Sequence, residues 1–255
     1  MTGTLAGSTA TGTFRLIGTL AVENNGIGGC TSSGGCIRWL SFGAQPNQAT
    51  ISSQNLSGSF AGDSGQNVAI NPLSDSSTAQ PLGTSFSNYN FVDLSFEPSL
   101  PNLLANSIPL GTAPATDCST NVGTAAAGQT CALTPTTTPA DPGGSPFTFA
   151  NTNNLSSVCC NSSAIFNISG ITSDGTGTWS AVFESDFQGP GGNPAAGSFQ
   201  DVLSSPAANG EWSSTFFADF TVQDPLTPEP STFWTWSAGA LLLSGIAWRR
   251  RKAMA

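Results

Sequence analysis

Apolar and polar residues alternate with a period of two along several stretches of this chain. Phe14, Leu16, Leu20 and Val22 share one parity, with Gly18 between them. Between 85 and 96 the same holds for Phe86, Val92, Leu94 and Phe96. Trp179, Ala181, Phe183 and Phe187 alternate with Thr178, Ser180, Glu184 and Asp186. The clearest run sets Trp212, Phe216, Ala218, Phe220 and Val222 against Ser213, Thr215, Asp219 and Thr221. Successive side chains of a strand point to opposite faces, so these runs predict strands with one buried and one wet face. Antiparallel sheets bury such faces by stacking. The expectation is an all-β body, an antiparallel sandwich or jelly roll in one lobe or two. Eight of the 17 prolines fall between Pro98 and Pro146, around a Thr-rich run at 134–138. That stretch, about 98–146, predicts a long loop.

Composition narrows the picture. Of 255 residues only 8% are charged, against roughly 25% in an ordinary globular domain. Ser, Thr, Gly and Asn dominate instead, which favours strands and turns over helices. Four of the six basic residues are the C-terminal Arg249, Arg250, Arg251 and Lys252. The chain before them holds two cations, Arg15 and Arg38, against fifteen carboxylates, a net charge of −13 by that count. Such a body does not bind nucleic acid by neutralising phosphates, which needs clustered Lys and Arg. There is no histidine, and this removes Ser-His and Cys-His catalysis and His-bearing zinc sites.

The remaining candidates for chemistry are carboxylates, Ser, Cys and Tyr89. Glu184 and Asp186 share a strand face about 7 Å apart, a pairing that in principle suits glycoside hydrolysis; a solvated strand face is the simpler reading. Asp174-Gly-Thr-Gly could begin a calcium loop, but it lacks the alternating oxygen ligands of one, so a plain turn is expected. The Trp and Phe residues could form a sugar-stacking platform, although their alternation assigns most of them to the core. N-x-[ST] sequons occur at Asn55, Asn154, Asn161 and Asn167. The cysteines lie as Cys30 and Cys36, Cys118 and Cys131, and the adjacent Cys159 and Cys160. All six are candidate disulfide partners in an oxidising compartment. Fifteen connectivities exist, of which Cys30–Cys36 with Cys118–Cys131 is the simplest. No cofactor or metal is expected.

Composition changes abruptly after Pro225. Pro228, Glu229 and Pro230 are followed by an uncharged segment, about 231–248, with Trp234, Trp236 and Trp248 near its ends. As a helix its 18 residues would reach about 27 Å, close to the hydrocarbon thickness of a bilayer. The expectation is one C-terminal transmembrane helix stopped by Arg249–Lys252, single-pass in the inner membrane, with residues 1–226 outside the cytoplasm.

This order of Pro-Glu-Pro, short apolar helix and basic cluster resembles the PEP-CTERM sorting domain of exported bacterial proteins. The resemblance covers about residues 227–252. It implies that Pro228, Glu229 and Pro230 are the recognition motif and that Arg249, Arg250, Arg251 and Lys252 are the stop-transfer cluster. It implies an exosortase-type enzyme as processing partner and the cell envelope or extracellular matrix of a Gram-negative-type bacterium as destination, with exopolysaccharide as a further partner. The division expected is a body at 1–226 and a sorting segment at 227–255. Members of that family begin with a signal peptide, whereas residues 1–9 show neither a charged nor an apolar leader region; the expectation is a true start further upstream. The functional expectation is a noncatalytic exported envelope or matrix protein. The alternative is a secreted carbohydrate-binding or glycan-hydrolysing protein.

Overall fold

The computed structural model describes residues 10–23, 36–40, 47–74, 80–112, 125–132, 146–152, 161–187, 198–200 and 211–224. Residues 1–223 form one compact unit and 224–255 a second. The first unit is built of strands: β1 (Gly12–Glu23), β2 (Cys36–Leu40), β3 (Gln48–Ile51), β4 (Asn67–Ile70), β5 (Leu73–Ser74), β6 (Ser85–Asp93), β7 (Leu103–Ser107), β8 (Thr130–Ala132), β9 (Thr148–Thr152), β10 (Asn161–Thr172), β11 (Thr178–Phe187) and β12 (Glu211–Gln223). One 3-10 turn, Gly58–Phe60, lies between β3 and β4. Strands β7 and β8 both arise inside the proline-rich stretch expected to be loop.

Hydrogen bonding runs β11–β12–β1–β3–β4–β6–β7–β10, and β10 pairs back onto β11. Eight antiparallel strands therefore close into a barrel. Two of the long strands change partner along their length. β1 meets β3 at Leu16 and Ile17 and β2 from Thr19 to Glu23. β10 meets β7 from Ser169 to Thr172 and β9 from Asn161 to Ile165. β2 in turn carries β5, and β9 carries β8.

Two expectations are corrected here. The sheet does not stack as the two layers of a sandwich or jelly roll, because the β10–β11 pairing joins its ends. Among the described residues no helix is long and apolar enough to cross a membrane, so the expected single-pass inner-membrane placement has no helix there to rest on. The segment at about 231–248, on which that helix was placed, lies outside the described residues.

Period-two alternation fills the barrel. Phe14, Leu16 and Leu20 point inward from β1, Phe216, Ala218, Phe220 and Val222 from β12, and Trp179, Ala181 and Phe183 from β11, all buried. Ala164, Phe166 and Ile168 complete the wall from β10. Phe183 sits at the centre of the aromatic packing, with ring centroids 4.6 Å from Phe166, 5.1 Å from Trp39, 5.6 Å from Phe216, 5.7 Å from Phe220 and 5.9 Å from Phe91. The Phe166 ring is stacked on it and the others are tilted or edge-to-face. Large rings are accommodated by small neighbours: a Cβ added at Gly18 would stand 2.8 Å from Phe216 Cε1.

Irregularities break the alternation where the sequence offers no warning. The register of β6 against β7 shifts between Asn90 and Val92, so Phe91 and Val92 are both buried although they are neighbours. The register of β10 against β7 shifts between Ser169 and Gly170. A Cβ at Gly170 would run into Leu104 O, so glycine is required for this approach. Beside it, Trp179 Nε1 donates to both Leu104 O and Ile171 O at 3.1 Å, satisfying a buried indole.

Thr13, Arg15, Thr221, Asp219, Ser180, Glu184 and Asn167 alternate with the buried positions and lie on the outer face. A lipid-facing barrel carries an apolar band outside and polar groups within. This barrel has an apolar interior, and its outer face mixes those polar residues with Ile17, Val182 and Phe217. Adjacent residues of β11 test that assignment. Phe183→Ala is expected to cost about 3–5 kcal/mol, whereas Val182→Ala, at 47% exposure, should stay within about 0.5 kcal/mol. Urea unfolding of the two variants reads the difference.

Candidate functional site

Among the described residues, a polar constellation containing an ion pair lies on the outer face where the first strand meets the last. Arg15 and Asp219 are directly paired across β1 and β12. The guanidinium grips the carboxylate as a fork, Nε to Oδ1 at 2.8 Å and Nη2 to Oδ2 at 2.6 Å, the bidentate geometry that strengthens such pairs. Asn55 Nδ2 donates to Asp219 Oδ1 at 2.8 Å, and Arg15 Nη1 donates to Gln54 Oε1 at 3.2 Å. Asn55 reaches this position with φ of 59°, a left-handed conformation that Asn tolerates better than most residues. The guanidinium also lies 5.4 Å from the ring centroid of Phe217, within cation–π range.

The electrostatics follow from these contacts. The hydrogen bonds from Arg15 hold the Asp219 carboxyl below the usual carboxylate range; burial opposes this, and Asn55 and the charge of Arg15 add to it. Bonding to Asp219 likewise raises the Arg15 guanidinium, with smaller help from the charges of Asp219 and Glu184. Glu184 is paired with Phe217 in register, one strand away. With both Asp219 oxygens engaged, the cluster acts as a clamp joining β1, β12 and the connection after β3.

A second group of carboxylates lies in the connections. Asp174 Oδ1 accepts Thr172 Oγ1 at 2.6 Å and Thr176 N at 3.0 Å, while Oδ2 accepts Thr176 Oγ1 at 2.8 Å. Burial pushes this carboxyl up, but the hydrogen bonds outweigh it and hold Asp174 below the ordinary value. Its oxygens close a turn, as the plain-turn reading expects. Asp63 differs. Its Oδ2 is buried without a hydrogen-bond partner, and burial, then the charge of Glu97, push its carboxyl upward. Among the described residues no three His, Cys, Asp or Glu side chains stand close enough to hold a metal ion.

The residues singled out from sequence are distributed unevenly. Glu184 is on the outer face of β11, partly exposed; the side chain of Asp186 lies outside those described. Tyr89 donates its hydroxyl to Pro72 O at 2.6 Å, and burial raises its pKa, so it is tied into the wall. Cys131 is fully buried and disulfide-bonded. Cys36 stands in β2 with its side chain undescribed, and Cys30, Cys118, Cys159 and Cys160 lie outside the described residues. So do Pro228, Glu229, Pro230, Arg249, Arg250, Arg251 and Lys252. Sequence reasoning missed the clamp because its partners, 204 positions apart, have no local signature. The matching in-register positions of Arg15 and Asp219 were the only available signal, and they are visible only once β1 is paired with β12.

Compared with family models, with curated proteins and with solved structures, the chain gives no match.

Because the folded-state pKa of Asp219 is depressed, its contribution to stability is present above the unfolded carboxylate value of about 3.9. It is lost as pH falls through the folded value. Asp219→Asn is expected to lower stability at neutral pH by less than about 1 kcal/mol, since the pair is partly exposed. Thermal melts from neutral to strongly acid pH should show the gap from wild type closing at the acid end.

Proposed function

We propose that this chain is a noncatalytic exported protein of the bacterial envelope or extracellular matrix, sorted through a PEP-CTERM-type signal recognised by an exosortase-type enzyme. The order of Pro228-Glu229-Pro230, an uncharged apolar segment to Trp248, and Arg249–Lys252 carries the reading. Pro228 and Pro230 flank Glu229 with fixed φ and no amide donors, which disfavours helix and presents an extended backbone to a processing enzyme.

Two features of the body support it. Cys131 is disulfide-bonded, and structural disulfides persist chiefly in oxidising compartments outside the cytoplasm. Two of the body's carboxylates, Asp219 and Asp174, are taken up in the clamp and in a turn. The reading makes the protein a substrate of its processing enzyme, with the barrel as passenger.

Mass spectrometry of the natural protein's C-terminus tests this. The mature form should end near Pro228–Pro230, and a variant with all three motif residues changed to Ala should remain full length. A mature envelope protein still ending at Ala255 would overturn the proposal.

A further inference from the structure

The connection between β3 and β4, residues 52–66, is laid along the first half of β1. Ser52 N donates to Arg15 O at 2.8 Å, Ser57 N to Thr13 O at 3.0 Å and Ser59 N to Thr11 O at 2.8 Å. It drives Phe60 into the core, fully buried, with its ring 4.6 Å from Phe14. Three residues further on is Asp63, held through its backbone: its N–H donates to Phe60 O at 3.1 Å and its carbonyl accepts Gln66 N at 3.2 Å. The connection is therefore fastened on both sides of Phe60.

The Asp63 side chain works against that fastening. Oδ2 is out of contact with solvent and no donor reaches it. Among the described residues, the charged group acting on it is Glu97, from the turn between β6 and β7, and no cation does so. Glu97 is itself held in place, with Oε1 accepting Ser99 N at 3.3 Å and Ser99 Oγ at 2.9 Å. An ionised carboxylate with one of its two oxygens out of water and without a donor, beside a second negative charge, is disfavoured relative to its neutral form. A proton on Asp63 removes the charge on which both effects act, although Oδ2 still has no partner.

We propose that the β3–β4 connection is an acid-tightened cap on the barrel, which seats Phe60 more firmly when Asp63 is protonated and loosens when Asp63 and Glu97 are both charged. The sign follows from the direction of the shift. Burial and Glu97 raise Asp63 above its ordinary value. The associated stabilisation is complete below the unfolded carboxylate pKa and fades as pH rises through the folded one. The Arg15–Asp219 clamp has the opposite sign, so acidification tightens the cap at a pH where the clamp still holds. The cap is independent of the sorting proposal, since it uses residues of the body alone.

Hydrogen exchange on the full chain tests it, with protection corrected for the intrinsic pH dependence. Protection at the amides of Ser57, Ser59 and Gly65, opened by local rather than global unfolding, should rise about threefold or more on acidification from neutral pH to about pH 4.5. The Ala181 amide in β11 serves as reference and should change less. Asp63→Asn should show the higher protection already at neutral pH and lose the dependence. Glu97→Gln should raise neutral-pH protection and flatten the profile in part, giving a second reading if Asp63→Asn does not fold. A wild-type profile that is flat or falls on acidification overturns the proposal, as does a foldable variant whose profile matches wild type.

Discussion

An unbroken register from β10 through β11 and β12 to β1 is the constraint on which the rest of the molecule depends. Ser162 pairs with Phe187 and the match runs to Ile171 with Thr178; Thr178 then pairs with Gln223, and Val222 with Gly12. Because side chains alternate, a slip of one residue at any of these seams would turn Phe183 or Phe220 outward and bring Glu184 or Asp219 into the interior. The register is marked on both faces. Inside, Phe14 and Phe220 stack with centroids 4.7 Å apart. Outside, Arg15 meets Asp219 in the same pairing. An in-register aromatic pair and an in-register ion pair at consecutive positions discriminate against the same slip by different physics.

Closure then decides what each remaining element does. Where β1 leaves β3 and β10 leaves β7, the gaps are filled by β2 with β5 and by β9 with β8. Buried polar groups cluster around the second of these. Asn151 is buried, donates to Gln129 Oε1 at 3.2 Å and Gln200 Oε1 at 3.0 Å, and accepts Phe199 N at 2.8 Å. Gln200 Nε2 reaches Gln129 Oε1 at 2.8 Å. Such a network is tolerated in a core because its members satisfy one another. It ties the short β8–β9 pair to Phe199, an anchor drawn from the connection between β11 and β12.

Much of the wall was legible in the sequence. Phe14, Leu16 and Leu20 of β1, Trp179, Ala181 and Phe183 of β11 and Phe216, Ala218, Phe220 and Val222 of β12 are buried as the alternation selects, because a strand with one wet face leaves a direct imprint on its composition, whereas Val22 is only partly buried. What alternation does not encode is which strand pairs with which. A sandwich and a closed barrel place the same demand on Trp179, Ala181 and Phe183, and only the nonlocal β10–β11 and β10–β7 pairings distinguish them. Bulges were equally silent: Phe91 and Val92 break parity through a register shift, and Gly170 is an ordinary glycine until Leu104 O is placed against it. The candidate site was the least legible part. Arg15 was visible as one of two cations in the body, but Asp219 as its partner depends on the whole chain lying between them. Nothing in the sequence sets Asp63 apart from the other carboxylates, and the enclosure of its Oδ2 is a product of tertiary packing.

The pairing of β1 with β12 also fixes an order of events. The earliest strand of the barrel has as its longest partner the latest one, with 204 positions between Arg15 and Asp219. Until residue 223 is available, β1 lacks one whole edge and β11 lacks another, so the ring cannot shut. Long-range pairings of this kind are slow to form, and a chain emerging from the ribosome or threading through a pore would stay open until almost all the body had passed. The architecture thus contains a completion check: a barrel cut short before its last strand has two unmatched edges and an unfilled interior, which are the features that quality-control proteases and chaperones recognise.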